Sequence, residues 1–262
     1  MPVKHSLSPK SFSNDKFRST DYCVMRHIFD THNRIGRLAN EEIYKQEVLC
    51  RLNEHSIPSE GEVTIELIHR HYPKQLRIDF AVHGCFVYEM KTAESLSNSH
   101  RAQLLNYLYM LDLPAGKLVN MRPSRVEAEY VNAPIPRSER QSFAVDKSSF
   151  HGSDELLGIT SDLVHDWGTC LSSSIYREAI LSLAASGNTK GELVPIRRGD
   201  HTLGNQKFFL IGPDEAIQVT TFTDRSSEYS AHLHRLREIS PIRLLHWINI
   251  GPHQLTLETI AN

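Results

Sequence analysis

Residues 77–91 read RIDFAVHGCFVYEMK. Ile78, Phe80 and Val82 alternate with Asp79, Ala81 and His83, the two-residue period of a β-strand. His83-Gly84 supplies a turn and Cys85 to Met90 a second run, so the stretch predicts two short strands joined at a hairpin. Side chains two apart share a strand face. Glu89 and Lys91 therefore point the same way, and Asp79 can meet them across the pair. Two carboxylates and an ammonium on one covered surface repel in part and lose hydration. A sheet has little structural reason to gather them; a divalent cation supplies one. An edge hairpin with solvated charges is the competing reading of the triplet taken alone.

Downstream, SHRAQLLNYLYMLDLPAGKLVNMRP (99–123) carries an apolar helical stripe of Ala102, Leu104, Leu105, Leu108 and Leu111. Gln103 and Tyr107 lie four apart on a neighbouring face, Pro114 and Gly116 end the helix, and Lys117 to Met121 reads as the next strand. Upstream, Glu41-Glu42-Ile43-Tyr44 opens a helix and offers a further carboxylate. An acid on one strand and Glu-x-Lys on the next resembles the PD-(D/E)XK nuclease superfamily, with Asp79, Glu89 and Lys91 at its three signature positions. Gln-x-x-x-Tyr on the following helix looks like the helicase-nuclease branch. The order ExxY, D, ExK, HxxQxxxY, LVN over residues 20–133 resembles the GxxExxY family of that superfamily. Two departures are visible: Ile78 stands where the signature has Pro, and Gly36 lies five residues before Glu41, with Leu38 at the family's glycine position.

The resemblance implies an α/β (α+β) fold with a restriction-endonuclease-like core, a mixed central sheet flanked by helices. It also implies a divalent-metal-dependent nuclease. Mg²⁺ or Mn²⁺ prefers carboxylate oxygens, a backbone carbonyl and water. Asp79 and Glu89 are the expected ligands, with the Met90 carbonyl as a third and Glu41 binding directly or through water. Lys91 is expected to orient the attacking water or neutralise developing charge, and Gln103 and Tyr107 to position the phosphate or brace the acids. Tyr44 reads as core. His100 reads equally as a phosphate contact or a helix-terminal residue. DNA is the expected substrate ahead of RNA. The alternative is a non-catalytic nucleic-acid-binding or scaffolding protein that keeps the fold, and no Gly-rich loop followed by Lys-Ser/Thr points to a nucleotide-dependent enzyme.

The 262 residues suffice for one large or two modest domains. A hydrophobic share of 40% and a charged share of 23% are ordinary for a globular protein, and a net charge of −2 confines any DNA-facing surface to a local patch. No apolar run approaches ~20 residues and no signal peptide opens the chain, so a cytoplasmic protein without membrane contact is expected. Cys23, Cys50, Cys85 and Cys170 have no paired metal spacing and read as buried thiols.

In chain order, residues 1–19 read as a flexible arm, 20–133 as the nuclease-like domain and 134–153, rich in Pro and Ser, as a linker. Residues 154–262 read as a degenerate second copy. GRLANEEIYKQEVL (36–49) lies over GTCLSSSIYREAIL (168–181), sharing Gly, Ile-Tyr, a basic residue and Leu 132 positions apart (44 to 176), and Asn120 aligns with Asn249. A tandem duplication is inferred. Ser173 stands for Glu41, and Leu210, Thr220 and Phe222 are the approximate counterparts of Asp79, Glu89 and Lys91, so the second half is expected to be inert. It would serve as an internal pseudo-dimer partner or grip a polymer; a homodimer is the other assembly expected. His201, His232, His234, His246 and His253 lack a compact zinc spacing and read as surface residues.

Overall fold

In the computed structural model the described residues are 3–7, 14–184, 189–224 and 226–261. They form two units, Val3–Leu67 with Gln75–Pro136, and Ile68–Lys74 with Arg137–Asn262.

The first sheet grows around the hairpin. In chain order come β1 (Val3–His5), α1 (Asn14–Ile35), α2 (Glu41–Glu54), β2 (Ser59–His69), β3 (Tyr72–Val82), β4 (Phe86–Lys91), α3 (Asn98–Leu111), β5 (Ala115–Asn120) and β6 (Glu127–Asn132). The strands follow one another across the sheet in sequence order. β3 and β4 are antiparallel, β4 and β5 parallel, and β5 and β6 antiparallel. The parallel step from β4 to β5 is where α3 carries the chain back to the starting end of the sheet. Val82 pairs with Phe86, and His83 and Gly84 turn the chain at φ of 52° and 69°, the left-handed region that Gly enters freely.

Local chemistry explains the helices. Val24 and Ile28, four apart on α1, are fully buried, as are Tyr44, Val48 and Leu52 on α2. α3 starts at a capping box: the Ser97 hydroxyl accepts from the His100 amide, and the His100 ring accepts from the Ser97 amide. It ends where Asp112 takes a left-handed conformation ahead of Pro114.

The second unit contains α4 (Arg137–Arg140), β7 (Ala144–Ser149), α5 (Asp154–Trp167), α6 (Ser173–Ala184), β8 (Glu192–Arg198), β9 (His201–Leu210), β10 (Glu215–Thr220), α7 (Ser226–Glu238), β11 (Leu244–Ile250) and β12 (Gln254–Ile260). Its sheet runs β7-β12-β11-β10-β9-β8. β9 and β10 are antiparallel, β10 and β11 parallel, and β11 and β12 antiparallel. From α5 to β12 this repeats the element order of α1 to β6, and from β9 to β12 the strand directions of β3 to β6. The mixed α/β architecture that the resemblance implies is thus present, with two mixed sheets flanked by helices.

Three expectations are corrected. The N-terminal arm is not free over its described part: Val3–His5 pairs antiparallel with β2, covering that strand's edge, and α1 begins at Asn14. The Pro- and Ser-rich linker also carries structure. Arg140 is buried, its guanidinium donating to the Trp167 and Thr169 carbonyls, and β7 pairs in parallel with β12. Among the cysteines only Cys85 is buried; Cys23 and Cys50 are exposed and Cys170 is intermediate. Among the described residues no helix is long and apolar enough to cross a membrane.

Candidate active site

The ladder between β3 and β4 stops at a fork. Phe80 pairs with Tyr88, their rings stacked with centroids 5.0 Å apart, and among the described residues the β3–β4 register ends at that pair. There the Asp79 carboxylate takes the place of a backbone acceptor: its Oδ2 receives the Met90 amide at 2.7 Å. A buried amide left without a partner is costly, so the side chain and the fork support each other. Strand parity then sets Asp79, Glu89 and Lys91 on one face, as the alternation predicts, with Glu89 beside Leu118 and Lys91 beside Asn120 on β5.

Glu89 is 1% exposed. Its Oε1 receives the Lys91 ammonium at 2.6 Å, while Oε2 is buried with no hydrogen-bond partner among the described residues. Burial, reinforced by Asp79 and opposed by Lys91, pushes the Glu89 carboxyl up to about 7. Glu41, at the first turn of α2, brings an oxygen to 4.0 Å from the Lys91 ammonium. Burial raises its carboxyl also, with Lys91 opposing and Asp79 adding to the rise. On α3 the Gln103 side-chain amide donates to the Tyr107 hydroxyl at 2.9 Å. Burial and then the nearby Glu89 push that phenol up to about 12. The structure therefore brings Asp79, Met90, Glu89, Lys91 and Glu41 into one network, and sets Gln103 and Tyr107 as a bonded pair within the electrostatic reach of Glu89.

Tyr44 is core: it is fully buried, its hydroxyl donating to the Gly36 carbonyl and accepting from the Ala39 amide. The His100 ring is engaged at the helix start by the Ser97 amide, the helix-terminal reading of that residue.

Two participants were not singled out from the sequence. Lys45, one turn after Glu41 on α2, is 8% exposed, and its ammonium lies 2.8 Å from Glu42, 2.7 Å from Glu62 and 3.3 Å from the Oδ1 of Asp79. Burial alone would depress Lys45, but Glu42, Glu62 and Asp79 together hold it above the ordinary lysine range. Glu62, on β2, also receives Arg77. The signal available was Lys45 on the helix of Glu41, four residues away.

The donors suit a hard divalent ion: two or three carboxylates, one of them with a buried unpaired oxygen and an unfavourable charge. Among the described residues no three His, Cys, Asp or Glu side chains yet form a metal-holding group. Lys45 and Lys91 stand beside the acids instead.

The corresponding place in the second unit is fixed by register. The Asn120 amide bridges the Ala93 backbone, accepting from its N–H and donating to its carbonyl; Asn249 does the same to Phe222. Lys91 pairs with Asn120 and Thr220 with Asn249. The residues in the places of Asp79, Glu89 and Lys91 are therefore Phe208, Gln218 and Thr220, two positions earlier than Leu210, Thr220 and Phe222. Phe208 sits in the apolar cluster with Trp247, and the Gln218 amide donates to the Tyr229 hydroxyl.

Residues 18–132 match the PD-(D/E)XK nuclease superfamily. A search of the curated proteins finds no match. Among solved structures, the crystal structure of SSO0001 is 18% identical over 45% of this chain and 79% of that chain, with a TM-score of 0.25. A domain of the PD-(D/E)XK superfamily thus lies at residues 18–132, and that superfamily suggests a metal-dependent nuclease.

Proposed function

We propose that the superfamily domain at residues 18–132 is a nuclease of the GxxExxY kind that hydrolyses phosphodiester bonds in DNA, with Mg²⁺ or Mn²⁺ as cofactor. The observation that carries this reading is the buried Glu89 carboxylate, one oxygen paired with Lys91 and the other without a partner among the described residues, on the same sheet face as Asp79. A buried carboxylate with one oxygen unsatisfied is unfavourable for folding, and a second cation beside Lys91 would relieve it.

Asp79 and Glu89 would hold the ion, with Glu41 and the Met90 carbonyl completing the protein ligands. When bound, the ion supplies positive charge that acidifies a water and stabilises charge developing on the scissile phosphate. Lys91, tethered to Glu89, orients the attacking water and then faces the anionic transition state. Gln103 and Tyr107, bonded to each other, position the phosphate or brace the acids. The fork between β3 and β4 keeps the Asp79 carboxylate in place before any ion arrives.

The second unit is read as a degenerate copy from a tandem duplication. Its support is the repeated element order together with two hydrogen-bond signatures kept at constant spacing. One is Tyr44 or Tyr176 bridging a Gly carbonyl and an amide three residues beyond it; the other is the Asn clamp. With one acidic site per chain, the expected product is a single-strand cut.

The test is Mn²⁺-dependent cleavage of single-stranded and duplex DNA by wild type and Asp79→Ala. Activity in the wild type and a loss of about 100-fold or more in the variant is expected. Equal activity in both would remove the enzyme assignment and leave a nucleic-acid-binding scaffold.

A further inference from the structure

We propose that Lys45 is a built-in competitor of the metal: its ammonium occupies the cation place at Asp79 in the metal-free protein and must yield when the ion binds. The inference rests on the reading of Asp79 and Glu89 as metal ligands and adds a control on their loading.

The geometry is specific. Asp79 has two oxygens, and both are engaged: Oδ2 by the Met90 amide and Oδ1 by Lys45 at 3.3 Å. The amide is part of the fork, and a fixed backbone donor coexists with a cation on the other oxygen. The ammonium does not coexist so easily. It is a full positive charge within ion-pair distance of the same oxygen, in a site where burial weakens screening. A divalent ion there meets direct repulsion unless Lys45 moves.

Lys45 has somewhere to go. Its shorter contacts are to Glu42 at 2.8 Å and Glu62 at 2.7 Å, both more exposed than Asp79. The long, flexible side chain can keep these two bonds while lengthening the third. Glu42 shares its helix one turn away and Glu62 comes from β2, so the retreat is anchored from two elements. Lys91 differs: its partner is Glu89, and it lies on the strand that carries the catalytic signature.

Without Lys45, the carboxylates of Glu42, Glu62 and Asp79 would lose the cation they share, with Arg77 still on Glu62 and Lys91 still on Glu89 and Glu41. The metal-free protein should then be less stable and the ion more tightly bound. If Lys45 instead pre-orients Asp79 for the metal, its removal weakens binding. The two roles have opposite signs.

The experiment is a titration of the full chain with Mn²⁺ in the absence of nucleic acid. Free ion is read by electron paramagnetic resonance and thermal unfolding is followed in parallel. Lys45→Met is expected to bind Mn²⁺ about tenfold more tightly than wild type, with a lower metal-free Tm and a larger rise in Tm on adding the ion. Glu62→Gln, a milder change at a half-exposed position, is the second variant. It leaves Lys45 more firmly on Asp79, and Mn²⁺ should bind severalfold more weakly. Unchanged or weaker binding in Lys45→Met, or unchanged binding in Glu62→Gln if Lys45→Met does not fold, overturns the competitor role while the metal site stands. A wild type that binds no Mn²⁺ overturns the metal site itself, and this inference with it.

Discussion

The two units use the same backbone devices to hold different chemistry. In each, a buried Tyr ties off the turn that precedes a helix, its hydroxyl 2.7 Å from the Gly36 carbonyl in one and 2.5 Å from the Gly168 carbonyl in the other. Both glycines have positive φ, 79° and 80°, a conformation any side chain would strain. In each, an Asn on the strand after the crossover helix clamps the residue that leaves the neighbouring strand. Between these fixed points the contents diverge. Phe208 packs in a core cluster, and the Thr220 hydroxyl donates to Asn249 and accepts from the Trp247 indole. In the first unit, Glu89 keeps one buried oxygen without a hydrogen-bond partner among the described residues. The framework bonds are therefore independent of the acids. The acids are a local burden that the framework carries, as strain at functional sites generally is.

That comparison can be broken most sharply through activity. Glu89→Gln should abolish Mn²⁺-dependent DNA cleavage, a loss of about 10³-fold, whereas Gln218→Ala should leave it unchanged. A comparable loss in both variants, measured as initial rates on one labelled strand, would mean that the second unit contributes to the chemistry.

A smaller effect concerns pH. The Glu89 carboxyl is raised to about 7 in the folded state, so the native protein holds a proton that the unfolded chain releases near the ordinary glutamate range. Stability from this group is fully present below about 4.5 and is lost as pH rises through 7, up to about 3 kcal/mol. Urea unfolding of metal-free protein between pH 5 and 8 should show that decline, and Glu89→Gln should flatten it. Divalent ion added at pH 8 should restore stability. A wild-type profile no steeper than that of the variant would contradict the burial argument.

The smallest effect tests the shared framework. Tyr44→Phe and Tyr176→Phe each remove one buried hydroxyl that serves a carbonyl and an amide. Each should cost about 1–3 kcal/mol in denaturant unfolding, and by similar amounts. A large difference between the two would show that the repeated bond does unequal duty in the two units.

How far the sequence could be read follows from what kind of information each feature needs. The hairpin and the shared face of Asp79, Glu89 and Lys91 were legible because alternation and a His-Gly turn are local signals. The register of the second unit lies two residues from the sequence alignment because a shift of two keeps every side chain on its face; the strand pairing and the clamp of Asn249 on Phe222 fix it. Lys45 is not legible in the sequence because a lysine on an amphipathic helix reads as solvated, and its partners Glu62 and Asp79 come from other elements. β7 was hidden in a Pro- and Ser-rich stretch because its partner, β12, lies more than a hundred residues away. α4 is hidden with it, since the hydrogen bonds from Arg140 to the Trp167 and Thr169 carbonyls are tertiary.

The Asn clamp has one more consequence. Ala93 and Phe222 lie just past the ends of their strands, where amide protons normally trade with solvent quickly. Each is instead held by a buried carboxamide whose release requires the strand end itself to open. In deuterated solvent these two amides should exchange as slowly as those of their neighbouring strands.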